Sequence, residues 1–377
     1  MKFIHISDIH LGVEPDLGKA WSKKRSQDIW DSFAEIVLEA GRLQADFLFI
    51  SGDLFHRQPL KRELKEVNYL FGQIPKVKVV LMAGNHDYLQ PKSYYVDFEW
   101  AENVFFFDRE EVTFFDFPEK NVTVYGASYW HREIRERLYD ELAITDCNRI
   151  NILLAHGGDE RHIPFSAKRI LERGIDYIAA GHIHKGGWLV EGKAVMAGSL
   201  EPTDCNDTGP HGYWLGEIVK PEKKMTGNIN MWLGKESASN DGVESSQVRA
   251  EFYPICKCEY CHKVIAVTPE MTQYEVDAAM RECLMTGEAH VLYRIFLEGY
   301  VEPDTVFDLE RMEQMERVVD VSANLFPNYD YDKIIEEQPD SLLARYILQM
   351  NRLPQNEVSK KALEYGVNAL LGYKICR

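Results

Sequence analysis

An α/β fold with a smaller second domain towards the C-terminus is predicted by three features of the sequence. Apolar strand-like runs alternate with helical periodicities over residues 1–90, a polar tract interrupts the pattern at 220–246, and a strand–helix–strand pattern follows it. The length of 377 residues favours two domains over one. A hydrophobic content of 45%, with 12% aromatic residues, suffices for packed cores and is too high for disorder.

Taken in order, Phe3 to Ser7 reads as a strand that ends in Asp8, and residues 22–43 show a helical stripe through Ile29, Phe33, Ile36 and Val37. Asp46 to Ser51 is an apolar strand running into Gly52-Asp53, residues 60–73 are helical, and Lys76 to Met82 is a strand ending at Gly84-Asn85-His86-Asp87. Continuous apolar strands between helices imply a sheet covered on both faces. The aromatic strands around Val104–Phe107 and Val112–Phe115 suggest a second sheet packed on the first, a base-stacking platform being the alternative. Strands then lead from Ile150 into His156 and from Ile175 into Gly181-His182, with short ones at Val195 and at Tyr213 to Ile218. Pro221, Gly227, Gly234 and Asp241-Gly242 mark the polar tract as a linker. Beyond it come a strand, a helix and a strand at 263–268, 271–283 and 290–298. Two amphipathic helices follow, with stripes Leu342, Leu343, Tyr346, Ile347, Met350 and Leu363, Val367, Leu370, Leu371. The expected divisions are 1–219, a linker at 220–246, a cap at 247–305, and an acidic stretch with terminal helices at 306–377.

No run of about 18 apolar residues is present, so no membrane span is expected. The opening residues are too soon polar for a signal peptide. Seven scattered cysteines, an odd number, point to a reducing cytoplasm rather than a disulfide framework. The net charge of −17 weighs against a nucleic-acid partner but is unevenly spread. Residues 301–340 hold 12 Asp/Glu against 3 Lys/Arg, whereas 351–377 hold 5 Lys/Arg against 2 Asp/Glu. The local field at a groove, not the total charge, governs binding.

Five short motifs stand at strand ends: Asp8-Ile9-His10, Gly52-Asp53-Leu54-Phe55-His56, Gly84-Asn85-His86-Asp87, His156-Gly157 and Gly181-His182-Ile183-His184. Such ends are where α/β sheets place their sites. Each motif alone is weak; their joint occurrence in this order is specific. Carboxylates, an amide and imidazoles suit two divalent metals of the Mn²⁺, Fe²⁺ or Zn²⁺ kind, and the lack of thiolates argues against a structural zinc. The set resembles the signature of the calcineurin-like metallophosphoesterases. That resemblance implies two packed mixed β-sheets flanked by helices, a four-layer sandwich. It assigns Asp8, His10, Asp53 and His184 to one metal and Asp53, Asn85, His156 and His182 to the other, Asp53 bridging. It implies that the pair binds phosphate and lowers the pKa of a shared water. It also implies that His86 protonates the leaving oxygen, that Asp87 orients His86, and that His56 lies near the phosphate.

Ser51 to His56, the opening Ile6 to Gly12, Gly198-Ser199-Leu200-Glu201-Pro202, Gly212 to Ile218 and Leu292 to Gly299 resemble the DNA double-strand-break repair nucleases of the SbcD type. This implies a DNA exonuclease and endonuclease that uses Mn²⁺ (Fe²⁺, Zn²⁺ or Mg²⁺ being alternatives), with a DNA-binding cap and an SbcC-type coiled-coil ATPase that docks on the C-terminal helices, the equal alternative being that these helices simply cover the cap's core; a homodimer is a further expectation. Two other readings stand beside it: a phosphoesterase acting on a small nucleotide, favoured by the acidic surface, and a non-catalytic scaffold. His5 reads as a packed core residue, His211 as a loop residue, and His131, His162, His262 and His290 as structural or surface. Cys256, Cys258, Cys261 and His262 have zinc-clip spacing, but alternate strand residues face opposite ways, which favours structural cysteines.

Overall fold

The computed structural model describes residues 1–220, 246–354 and 356–372; the tract read as a linker lies, at 221–245, outside the described residues. The chain divides into two compact units, Met1–Cys258 and Glu259–Arg377.

The first unit holds twelve strands among its described residues: β1 (Lys2–Ile6), β2 (Phe47–Ser51), β3 (Lys78–Met82), β4 (Val104–Phe107), β5 (Thr113–Phe117), β6 (Val122–Gly126), β7 (Ile150–His156), β8 (Tyr177–Gly181), β9 (Gly187–Val190), β10 (Ala194–Met196), β11 (Gly212–Val219) and β12 (Gln247–Pro254). Its helices are α1 (Ser22–Arg42), α2 (Lys61–Gly72) and α3 (Ala167–Glu172). The strands form two six-stranded mixed sheets, ordered β12-β11-β1-β2-β3-β4 and β5-β6-β7-β8-β10-β9. In the first, β1 to β4 run parallel and β11 and β12 return antiparallel. In the second, β6, β7, β8 and β10 are parallel, with antiparallel edges β5 and β9.

The period-2 alternation of each strand sorts side chains between two cores. Phe3, Phe47, Phe49, Val80 and Met82 meet Val122, Val124, Ile152, Leu154 and Ala179 between the sheets. The alternate residues Ile4, Ile6, Leu48, Ile50 and Leu81 pack under Ile29, Phe33 and Val37 of α1 and Leu64, Val67 and Phe71 of α2. On the far side of the second sheet, Leu153, Ala155, Ile178 and Ala180 lie against Ile170, Tyr129 and Tyr139. The unit is therefore the expected four-layer sandwich. The two aromatic strands read as one second sheet part company: β4 is the edge of the first sheet and β5 the edge of the second, with Phe105 against Phe115 and Phe117 across the gap.

Polar contacts stitch the sheets together near the site. His5 is fully buried, sharing its ring nitrogens with Tyr177 Oη (3.2 Å) and Ser51 Oγ (3.1 Å). Burial pushes its pKa down to about 3, so it is a neutral core histidine. Glu201, from the Gly198–Pro202 motif, is also fully buried, accepting from Ser32 Oγ (2.6 Å) and the Lys257 amide (2.7 Å) and pairing with Arg25 at 3.2 Å. Breaking such a buried pair costs about 3–5 kcal/mol, so this cluster fixes α1 to the segment that follows β12.

β12 belongs to the first sheet, paired with β11 over its whole length, although the sequence pattern opens the cap at 247. Aromatic contacts on both of its faces supply the reason: Phe252 packs on Trp214, and Tyr253 stacks on Tyr213. The second unit begins at Glu259. Strands β13 (Glu259–Val267), β14 (Val291–Val301) and β15 (Val318–Pro327) form a parallel three-stranded sheet, crossed by α4 (Gln273–Thr286) and α5 (Leu309–Glu313). Thus β15 and α5 occupy much of the acidic stretch. Val276, Met280 and Leu284 of α4 cover Ile265, Ile295 and Leu297 of the sheet. The chain then runs through α6 (Tyr331–Glu337), α7 (Leu342–Asn351) and α8 (Glu357–Leu371). The stripes of α7 and α8 close on each other through Ile347, Leu363 and Val367, leaving Leu342, Leu370 and Leu371 exposed.

No cluster of metal-ligating groups found among the described residues includes Cys256, Cys258 or Cys261. Burial raises the Cys258 thiol to about 12, which leaves it unreactive.

Candidate metal centre

All five motifs sit on the loops that leave β1, β2, β3, β7 and β8, and their side chains converge. Unusual backbone turns aim them: Asp8, His10 and Asp53 are left-handed, at φ 51°, 53° and 50°. Non-glycine residues adopt such angles at a cost, and those costs gather at functional sites. Gly84 is required by contact, since a β-carbon there would meet Asp53 Oδ1 at 2.2 Å.

Asp53 is the hub. Its Oδ2 lies 3.4 Å from His156 Nε2 and 3.9 Å from His10 Nε2, while Oδ1 accepts the His86 amide at 2.9 Å. On one side Asp8, His10 and His184 cluster, with His10 Nε2 and His184 Nε2 3.0 Å apart. On the other, Asn85 Oδ1 stands 2.9 Å from His156 Nε2 and 3.0 Å from His182 Nδ1. Both sequence-expected quartets are thus brought together around one carboxylate.

The chemistry of these donors fits divalent cations. Two nitrogens bound at right angles to one ion at about 2.1 Å are about 3 Å apart, the spacing of the His10 and His184 pair. His156 Nδ1 meets the Ser51 carbonyl at 2.8 Å, which turns Nε2 inward. His10 Nδ1 is buried with no hydrogen-bond partner. Burial opposes charge on Asp53, yet the imidazoles of His156 and His10 hold its carboxyl well below the usual range. Burial likewise opposes protonation of His184, but the carboxylates of Asp207 and Asp8 raise it to about 9. Burial pushes His10 down to about 3 and lowers His182 as well, so these imidazoles are held neutral, the form that ligates a metal.

His86 is half-buried, its ring 4.7 Å from that of His10 and 5.1 Å from that of the exposed His56. Its Nδ1 faces the His56 backbone carbonyl at 3.3 Å. Asp87 does not orient it, contrary to the expectation from sequence. The Asp87 oxygens are taken by the amides of Gly84 (2.8 Å) and Phe55 (3.1 Å) and by Tyr95 Oη (2.9 Å), so this carboxyl ties the loop of Asp53 to that of Asn85. Burial, with the charge of Asp53, pushes Asp87 up to about 7.

Three groups at the site were not singled out by sequence. Asp207 accepts from Thr203 and stands 2.9 Å from His184 Nδ1; Asp159 stands 2.8 Å from His182 Nε2. His162, read from sequence as structural or surface, meets Asp159 at 2.8 Å with its ring 4.4 Å from that of His182. Carboxylates behind ligand histidines fix ring orientation and raise basicity. Replacing Asp207 by alanine is therefore expected to weaken divalent-metal affinity by about 10–100-fold with the fold intact, measured by Mn²⁺ titration calorimetry. Unchanged affinity would remove Asp207 from that role.

Acidic, amide and imidazole donors at the strand ends of a four-layer α/β sandwich define a class, the metal-dependent phosphoesterases. Residues 1–186 match the family model of the calcineurin-like phosphoesterases, which supports a hydrolase acting on phosphodiesters. It is similar to the uncharacterised metallophosphoesterase YhaO of Bacillus subtilis, 29% identical over 67% of this chain and 66% of that protein. The DNA double-strand break repair protein Mre11 of Saccharolobus solfataricus is 23% identical over 98% of this chain and 100% of its own length. Mre11 of Archaeoglobus fulgidus is 40% identical over 90 residues, 23% of this chain and 19% of that one. No helix among the described residues is long and apolar enough to cross a membrane.

Proposed function

We propose that this protein is a Mn²⁺-dependent DNA nuclease of the SbcD type, cutting phosphodiester bonds at DNA ends as exonuclease and endonuclease in DNA repair. The observation that carries the reading is the reach of the similarity: the alignment with the Saccharolobus Mre11 covers 98% of this chain, the second unit included. A compact esterase of small molecules has no need of that unit.

Asp8, His10, Asp53 and His184 would hold one ion, and Asp53, Asn85, His156 and His182 the other. Two bound divalent ions would supply an activated water at neutral pH and neutralise the phosphate charge. The protein's own groups do the rest. Asp159 and Asp207 orient the outer imidazoles, Asp87 holds two ligand loops in register, and His56 faces the phosphate. His86, anchored through its amide to Asp53, delivers a proton to the leaving oxygen. The exposed Leu342, Leu370 and Leu371 of the terminal helices support docking of a coiled-coil ATPase, and the odd number of scattered cysteines suits a cytoplasmic protein.

The test is Mn²⁺-dependent cleavage of end-labelled linear DNA over a salt series. Cleavage whose apparent affinity falls steeply with salt is the expected result. Turnover of small phosphodiesters alone, insensitive to salt, would replace the reading with a small-nucleotide phosphoesterase, which the net charge of −17 favours.

A further inference from the structure

A cavity of about 260 Å³ opens beside the metal centre. Its walls include Phe165, Ile183, Leu189 and Met196, with Gly158 and Lys168 also in the lining. Two segments serve the centre and the cavity at once. His156 leads directly into Gly157-Gly158, and Ile183 lies between His182 and His184. Gly158 is left-handed, at φ 123°, and a β-carbon there would lie 3.5 Å from the Phe165 ring. Ile183 and Leu189 are 47% and 42% exposed, so their aliphatic surfaces are open to a ligand. Lys168 on the cavity wall and Lys185 after His184 make no ion pair among the described residues, although acidic residues outnumber basic ones 60 to 43.

The cavity adjoins the loops of His156 and His182, whereas His56 and His86 stand beside His10. A group in the cavity therefore lies away from the proton donor and its leaving oxygen. We propose that this cavity binds the base of the nucleotide that keeps the phosphate after cleavage, with the Lys168 ammonium meeting the anionic backbone. Apolar walls with one cation at the rim match a flat, apolar-faced base attached to a phosphate. The proposal rests on the nuclease reading for its physiological ligand, but its chemistry needs only a nucleoside phosphodiester.

The test compares two small diesters on the full chain with Mn²⁺: the p-nitrophenyl ester of thymidine 5′-phosphate, which carries a base on the retained side, and methyl p-nitrophenyl phosphate, which carries none. Wild type should prefer the thymidine ester in kcat/KM. In Leu189→Glu and in Lys168→Ala, KM for the thymidine ester should rise about tenfold and about threefold, with the methyl ester unchanged. No preference in wild type, or equal loss on both esters in the variants, would overturn the cavity's role. Failure of the nuclease reading is separate: base preference without cleavage of DNA would keep the cavity and move the substrate to a small nucleotide.

Discussion

Asp53→Asn is expected to abolish tight binding at one metal position at least and to lower kcat for any phosphodiester by about a thousandfold or more. The reasoning is electrostatic. Asp53 is 1% exposed and lies between His156 and His10, on opposite sides of the centre. The asparagine keeps the size and can still accept the His86 amide, so the loops stay in place. It removes the only negative charge shared by both quartets and turns an amide donor towards imidazole nitrogens. Bound metals supply several kcal/mol of charge stabilisation in such hydrolases, and about 4 kcal/mol corresponds to a thousandfold in rate. Metal analysis after gel filtration, with circular dichroism to check the fold, separates this from misfolding. A variant that retains two ions and ordinary turnover would refute the bridging position.

His86→Ala should behave differently: both ions retained, kcat reduced by about 10²–10⁴, and KM little changed. His86 donates only its backbone amide to Asp53, and that survives the substitution. Its ring stands over His10 beside His56, where a leaving oxygen would need a proton. A substrate whose leaving group needs no proton provides the discriminating measurement. The loss should be large on DNA, whose leaving alkoxide is basic, and small on a p-nitrophenyl ester. Equal losses on both would assign His86 to binding rather than proton delivery.

The convergence of the donor set was legible in the sequence because its members lie at the ends of apolar strands, and strand ends of packed sheets converge whatever the intervening loops do. Asp8, Asp53, Asn85, His156 and His182 all lie within a few residues of such an end. The supporting shell was not legible. Asp207 reaches His184 from a loop 23 residues away with no pattern around it, and Asp159 looks like any exposed loop acid until His182 is seen against it. Asp87 misled for a related reason. Adjacency to His86 suggested an orienting pair, but neighbours in an irregular loop need not face each other, and the buried amides of Gly84 and Phe55 required an acceptor. The boundary before the second unit was blurred because β12 lies beyond the polar tract in sequence and within the first sheet in space.

That ordering of strands has a bearing on how the enzyme is born. The strands β1 to β4 are complete once Phe107 has left the ribosome, and with them Asp8, His10, Asp53 and Asn85. The imidazoles of His156, His182 and His184 arrive much later, and β1 gains its second neighbour only when β11 has been made. A nascent chain thus carries half a binding site until His184, near the middle of the sequence, has been made. Hydrolytic capacity should switch on only once β11 and β12 have closed the first sheet, so that a product truncated before His156 lacks the second half of the site.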